Sequence, residues 1–192
     1  MAMDVDTHGF AAANSDGEAM AVQVGGMPGP IQLLERDGQV SAIYVASRTD
    51  DALYHIVVEG SGDERKLSCV GGERAPGAIL RCPTDGGITT YALPDESLES
   101  GQVDLGVDPY ALRIFRTPAL PDTDLLAVGS MGTRAGVSHL SLFSLDADGV
   151  PQPLDRIAVS PGLVSIIAHP ITGRLYTSHK EANTFQVFDV RP

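Results

Sequence analysis

One unit of sequence recurs three times in this chain, and it constrains the fold more than any other feature. Each copy has a turn built on glycine and proline, an apolar strand fifteen to seventeen residues after the turn proline, and a second strand after a polar turn. Such a recurring unit predicts similar antiparallel sheets, formed one after another along the chain. The turns are Gly25–Gly29, Gly106–Tyr110 and Ser160–Gly162, and the strand pairs are Ala42–Ser47 with Leu53–Val58, Leu125–Ser130 with His139–Leu145, and Arg174–Ser178 with Thr184–Val190.

The spacing of the copies is typical of β-propeller blades, which contain about 40 to 50 residues. The turn prolines Pro109 and Pro161 are 52 residues apart, whereas Pro28 and Pro109 are 81 apart. We therefore place an insertion at residues 63–98, which adds either a small hairpin or a degenerate extra blade. The predicted organisation is a partial blade at 9–24, a blade with the insertion at 25–105, a blade at 106–159 and an incomplete blade at 160–190.

The expected fold is all-β, an incomplete β-propeller of about three four-stranded antiparallel blades. Turn residues recur at short intervals, and no part of the 192-residue sequence keeps an apolar period of 3.6 residues for long, so strand is favoured over helix. A closed propeller needs at least about four blades. We expect either a piece of a longer propeller, which we favour, or two copies that close a ring, and the open sheet edges predict self-association.

Two of the copies resemble a known repeat. Ala42–Ser47 reads AIYVAS, and His169–Ser178 reads HPITGRLYTS and continues into Phe185–Val190. These residues are similar to the YVTN-type β-propeller repeat and to blades of the lactonase-like seven-bladed propellers, and the likeness covers about residues 9–60 and 105–190. The resemblance implies a propeller fold. For function it implies either a surface or periplasmic binding protein or a hydrolase of sugar lactones.

Charge and hydropathy narrow the classes of partner. The chain has 25 acidic and 13 basic residues, which gives a net charge of −12. The basic residues are scattered and form no stripe, which argues against binding to nucleic acid. No apolar run has the length of a membrane span. We expect an unidentified protein or a small polar ligand as partner.

Both cysteines lie inside the predicted insertion. Cys69 and Cys82 form either a disulfide, which would contribute roughly 3 kcal/mol in the chain-entropy model, or two separate thiols. The pair is too small a ligand set for a metal, and the histidines show no ligand spacing, so we expect no metal and no cofactor. A disulfide favours an oxidising compartment. The compartment is otherwise unknown, and a periplasmic or extracellular location is favoured for a longer chain with a signal peptide.

The loops that surround a propeller's central channel provide the candidate ligand-binding residues. In each blade, the turn before the first strand and the loop after the second strand lie around this channel mouth, where ligands generally bind. Each polar residue in these loops also has a simpler interpretation as part of a solvated turn. The candidates are Arg48, Asp50, Asp108, Tyr110, Arg134, His179, Lys180 and Glu181, with Asp51 in the same loops.

The sequence leaves two functions open. The first is a non-enzymatic propeller module that binds a ligand or a partner protein, and the alternative is a lactonase-like hydrolase whose active face is only partly present. The sequence contains no Gly-x-Ser-x-Gly elbow and no phosphate-binding loop in the required context. We assign no catalytic residue and favour the binding module.

Overall fold

The computed structural model describes residues 2–4, 9–11, 21–50, 52–60, 65–75, 79–82, 108–131 and 138–191, and within these ranges the chain is all-β, as predicted. The described residues include no helix that is long and apolar enough to cross a membrane. The strands are β1 Ala2–Asp4, β2 Gly9–Ala11, β3 Ala21–Gln23, β4 Pro28–Arg36, β5 Gln39–Ser47, β6 Ala52–Glu59, β7 Lys66–Ser68, β8 Glu73–Ala75, β9 Ile79–Arg81, β10 Pro109–Thr117, β11 Leu120–Ser130, β12 Ser138–Leu145, β13 Pro151–Val159, β14 Leu163–Ala168, β15 Leu175–His179 and β16 Thr184–Phe188.

Three antiparallel sheets follow one another along the chain. The first sheet contains β4-β5-β6-β7, the second β10-β11-β12-β13 and the third β14-β15-β16, and in each sheet every strand pairs with the next one in sequence. Two of the sheets therefore have four strands, whereas the third has three among the described residues. The sheets do not close into a ring within the described part of the chain.

The segment that we predicted as an insertion, residues 63–98, takes part in two sheets where it is described. Strand β7 is the fourth strand of the first sheet and pairs antiparallel with β6. Strands β8 and β9 form a hairpin, and β9 also pairs in parallel with β3, which creates a separate small sheet. The remainder of the segment, residues 63–64, 76–78 and 83–98, lies outside the described residues.

The predicted partial blade at 9–24 is described only in pieces. Strand β2 lies at the start of this segment and pairs with β1. Strand β3 lies near its end. Residues 12–20, between β2 and β3, lie outside the described residues.

The second sheet is apolar on both faces. Successive side chains of a strand point to opposite faces, so neighbouring residues of β11 pack against different sheets. In β11, Leu126 and Val128 pack with residues of the first sheet, whereas Leu125 and Ala127 pack with residues of the third. Polar residues are therefore excluded from both faces here, which explains the continuous apolar run in the sequence.

Three apolar clusters hold the stack of sheets together. Each fully buried aliphatic or aromatic side chain contributes about 1.5–3 kcal/mol relative to its exposed state, so these clusters supply most of the packing free energy. The clusters include Leu34, Tyr44, Leu112, Leu126 and Phe143 between the first and second sheets, Phe115, Leu125, Leu163, Ile166 and Leu175 between the second and third, and Val45, Tyr54, Ile56 and Cys82 between the first sheet and the small sheet.

The first strands of the three sheets, β4, β10 and β14, are neighbours in space, and the same turn precedes each of them. One residue just before the strand has a left-handed backbone, and its carbonyl accepts the N–H of the residue that follows the second strand. These bonds run from Arg48 to Met27 at 3.3 Å, from Met131 to Asp108 at 2.9 Å and from Lys180 to Gly162 at 2.8 Å. The loops of all three sheets are therefore brought to one edge of the molecule, which we call the rim.

Candidate functional site

The rim contains the part of the structure where sequence-predicted site residues meet. It consists of residues 25–30 and 48–50 from the first sheet, 108–110 and 131 from the second, and 160–162 and 180–183 from the third. Asp108 has a left-handed φ of 79°, which is uncommon for a residue with a side chain. This backbone directs the chain into β10 and places the Asp108 carboxylate beside the first sheet.

Arg48 and Asp108 form a two-pronged ion pair between the first and second sheets. Arg48 Nε donates to Asp108 Oδ1 at 2.5 Å, and Nη2 donates to Oδ2 at 2.8 Å. The hydrogen bond with Asp108 raises the pKa of the Arg48 guanidinium above its ordinary value. The guanidinium carbon also lies 4.5 Å from the centre of the Tyr110 ring, within the range of a cation–π contact. Three predicted site residues thus form one unit.

A groove of about 430 Å³ lies beside this unit. Residues 27–30 form one part of its lining, and Arg48 and Tyr110 form the rest. The lining combines a proline-rich strand entrance and an aromatic ring with one guanidinium. A surface of this composition fits a small ligand that offers both an apolar face and hydrogen-bond acceptors.

Asp50 lies on the rim, but its carboxylate binds groups of the neighbouring turn and strand instead of facing the groove. Its Oδ2 accepts the backbone N–H of Gly26 at 2.9 Å and the hydroxyl of Ser47 at 2.8 Å. The two bonds tie the turn before β4 to the loop after β5. The carboxylate of Asp50 is thereby committed to loop structure, the simpler interpretation considered for it from the sequence.

His179 is buried in the third sheet, with only 2% of its surface exposed. Its Nδ1 lies 2.6 Å from the carbonyl oxygen of Ser160, and its Nε2 lies 2.8 Å from the hydroxyl of Thr177. A carbonyl oxygen only accepts, so Nδ1 carries the proton, and in the neutral ring Nε2 accepts from Thr177. Both ring nitrogens are engaged within the protein, which keeps His179 out of the groove.

The remaining candidates do not join the groove. Lys180 and Glu181 are exposed in the loop after β15, and Lys180 contributes its backbone N–H to Gly162. Arg134 and Asp51 lie outside the described residues.

A buried hydroxyl that the sequence analysis missed connects the second and third sheets next to the rim. Ser138 Oγ donates to the carbonyl of Met131 at 2.8 Å and accepts the N–H groups of Gly162 at 2.9 Å and Leu163 at 3.3 Å. A serine at the start of a strand carries no sequence signal for such a role.

An ion cluster that was not predicted from the sequence lies at the opposite ends of the same strands. Asp124 Oδ2 lies 3.1 Å from Arg36 Nε of the first sheet, and Oδ1 lies 2.7 Å from Arg116 Nε of the second. Burial by itself raises the pKa of Asp124, but the hydrogen bonds from Arg116 and Arg36 outweigh it and leave the pKa below its ordinary value. This cluster fastens the first sheet to the second.

Tyr44 and His55 form a buried pair in the first sheet. The Tyr44 hydroxyl donates to the carbonyl of Gly149, and the two rings stack with centres 5.1 Å apart. Burial raises the pKa of the Tyr44 phenol and lowers the pKa of His55. Both groups therefore stay neutral near pH 7 and act in packing.

The two cysteines, whose pairing the sequence left open, are joined. The disulfide between Cys69 and Cys82 spans Cα atoms 5.9 Å apart and connects the end of β7 in the first sheet to the end of β9 in the small sheet. No group of three or more potential metal ligands occurs among the described residues.

Comparisons with known proteins return no matching family model, no matching curated protein and no matching solved structure. The resemblance to YVTN-type and lactonase-like repeats stays a prediction, and the candidate site rests on its own geometry.

Proposed function

We propose that this chain is a β-propeller-type binding module that holds a small, neutral, polar ligand in the rim groove. The observation that carries the proposal is the junction of the first two sheets, where Arg48, Asp108 and Tyr110 come together beside residues 27–30. Three loops far apart in sequence build this one concave surface, as is common for ligand sites on repeated scaffolds.

The propeller part of the proposal is supported by the equivalence of the three sheets. In each sheet the strands follow chain order, the first strand lies beside the first strand of its neighbour, and the same left-handed turn leads into it. The faces in contact are also equivalent, because Tyr44 of the first sheet and Ala127 of the second occupy matching positions and each faces the next sheet. Radially arranged blades have these properties.

The charge balance of the groove favours a neutral ligand. Asp108 neutralises Arg48 through two hydrogen bonds, and the chain as a whole carries a net charge of −12, so an anion gains little by approaching. A guanidinium has five N–H donors, of which two serve Asp108, and it can donate others to a hydroxyl or carbonyl oxygen. Tyr110 and the prolines supply apolar contact. Neutral sugars and small amides combine these properties.

Ligand-detected NMR with a panel of neutral mono- and disaccharides and small amides tests the proposal. We expect saturation-transfer signals with the wild-type protein and their loss in Tyr110→Ala, because this change removes the aromatic wall of the groove. Tyr176→Ala is the matched control, since Tyr176 lies on the outer face of the third sheet. If the panel gives no signal, or if Tyr110→Ala and Tyr176→Ala behave alike, the groove is not the binding site.

The lactonase alternative has less support. In the described part of the rim, His179 is buried with both ring nitrogens engaged, and Asp50 is committed to its turn. Turnover of a sugar lactone by the wild-type protein, lost in Arg48→Lys and retained in Tyr176→Ala, would favour the hydrolase over the binding module.

A further inference from the structure

The small sheet is attached to the first sheet without any shared strand pairing. Its strands β3, β8 and β9 have three residues each, and in the described part of the chain they pair only with one another. A sheet of such short strands is marginally stable by itself. Its attachment therefore depends on side-chain packing and on the disulfide that joins Cys69, after β7, to Cys82, after β9.

The small sheet covers one apolar face of the first sheet. Tyr54 and Ile56 on this face are 1% and 2% exposed, and they share a cluster with Cys82 and with Val22 of β3. Tyr44 lies on the opposite face and packs toward the second sheet. Opening of the small sheet would therefore expose Tyr54 and leave Tyr44 buried.

The disulfide has a buried end and a more accessible end. Cys82 is 8% exposed, whereas Cys69 is only partly buried and precedes an exposed turn, in which the N–H of Gly72 donates to its carbonyl at 3.0 Å. A small thiol reductant can approach the bond from the Cys69 side. Two thiol groups of the reductant supply two electrons and two protons, the Sγ–Sγ bond breaks, both cysteines become thiols, and the two reductant sulfurs join in a disulfide.

The rim groove is insulated from movement of the small sheet. Strand β3 ends at Gln23, four residues before Met27 in the groove wall. Between them, the N–H of Gly26 donates to the Asp50 carboxylate at 2.9 Å, and the N–H of Arg48 donates to the carbonyl of Met27 at 3.3 Å. These bonds belong to the first sheet, so they hold the groove wall when β3 moves.

We propose that the disulfide between Cys69 and Cys82 is a redox-sensitive latch, whose reduction by a thiol lets the small sheet open while the three large sheets and the rim groove stay folded. The cross-link limits the freedom of the open state, and its loss favours opening on the order of a hundredfold. The latch does not depend on a ligand in the rim groove, and either proposal can fail without the other.

Hydrogen exchange, resolved at single amides by NMR before and after treatment with dithiothreitol, tests the proposal. The N–H of Cys82 donates to the carbonyl of Gln23 at 2.9 Å and reports the closed small sheet. We expect this amide to exchange about a hundredfold faster in the reduced protein. The matched controls are the amides of Arg48, Met131 and Lys180, which close the three equivalent rim turns and should keep their rates.

Nitration of tyrosine by tetranitromethane gives a second measure, on a double variant that has no thiol to consume the reagent. In Cys69→Ala with Cys82→Ala, Tyr54 should become reactive, whereas Tyr44 should stay protected as in the wild type. The exchange rates of this variant should match those of the reduced wild type, and dithiothreitol should not change them further.

Four results would overturn the latch. The first is a disulfide that dithiothreitol reduces only after the protein is unfolded in urea. The second is a Cys82 amide whose rate is the same before and after reduction. The third is equal acceleration of the Cys82 amide and the control amides, Arg48 included, which would mean that reduction loosens the whole chain. The fourth is equal nitration of Tyr54 and Tyr44 in the double variant.

Discussion

Replacing Asp124 by Asn tests how strongly the first two sheets are fastened at the end opposite the rim. Asp124 is 8% exposed and lies between Arg36 of the first sheet and Arg116 of its own sheet. Asn keeps the size of the side chain, but it removes the negative charge and turns one of two acceptor oxygens into a donor that faces a guanidinium. The expected effect is a loss of folding stability without a change of fold.

The magnitude follows from the exposure of the two arginines. A hydrogen bond to a charged group contributes about 1.5–3 kcal/mol, whereas an exposed ion pair contributes about 0.2–1 kcal/mol. The Arg36 side chain is 26% exposed, which places its contact at the low end of the first range, and the Arg116 side chain is 59% exposed, which places its contact in the second. Asp124→Asn should therefore lower the free energy of unfolding by about 2 kcal/mol.

Urea denaturation followed by far-ultraviolet circular dichroism, without reducing agent, measures this loss. Arg36→Met should cost about as much as Asp124→Asn, because Arg36 also donates to the backbone carbonyls of Asp146, at 2.7 Å, and Ala147. Arg116→Met, the matched control, should cost less than about 1 kcal/mol. Equal losses for the two arginine variants would refute the inference that the contact between the sheets dominates.

The effect should also depend on pH in a defined direction. The pKa of Asp124 is lower in the folded protein than its ordinary value near 3.9. Its carboxylate therefore stabilises the fold fully above about pH 4 and progressively less as the pH falls through the lower folded pKa. The difference between wild type and Asp124→Asn should be complete at about pH 6.5 and shrink below about pH 4. A difference that stays constant across this window would contradict the assignment of the pKa to the ion cluster.

Three other substitutions test separate contacts by the same denaturation assay. Cys69→Ser should lower stability by about 3 kcal/mol, because it opens the loop that the disulfide closes; reduction of the wild type should give a similar loss, and no loss would contradict a closed loop. Gly129→Ala should cost about 1–3 kcal/mol, since a Cβ there would lie 2.3 Å from Leu163; an unchanged midpoint would mean that the second and third sheets pack less closely. Ser138→Ala should cost about 1–2 kcal/mol, because the N–H of Gly162 loses its acceptor, and Ser138→Thr should recover part of this loss if the hydroxyl is responsible.

The strands could be predicted because their signal is local. The pairs predicted at Ala42–Ser47 with Leu53–Val58 and at Leu125–Ser130 with His139–Leu145 lie within β5, β6, β11 and β12. Apolar alternation and the turns that follow it occur within a few residues, so a single sequence reveals them. The role of β7 was harder to predict, because a strand of three residues inside a Gly- and Pro-rich segment has too little pattern to be recognised.

The candidate site was predicted only in part. The repeat identified the loops of the rim, and Arg48, Asp108 and Tyr110 lie together there as one unit. His179 was predicted as a site residue on the same grounds, but its side chain turns inward to Ser160 and Thr177. A loop position can be predicted from the repeat, but whether its side chain points into the groove or into the sheet depends on the neighbours it meets in three dimensions.

The amino-acid order alone determined that this chain forms strands, that the strands come in successive antiparallel groups, and which loops bring charge to a common edge. Only the tertiary structure decided which charges meet: Arg48 pairs with Asp108, 60 residues away, and Arg36 with Asp124, 88 residues away. The physical reason is the distance along the chain over which each interaction acts. Backbone conformation and side-chain alternation are set between near neighbours, whereas an ion pair, an open strand edge and a groove depend on how whole sheets pack against one another.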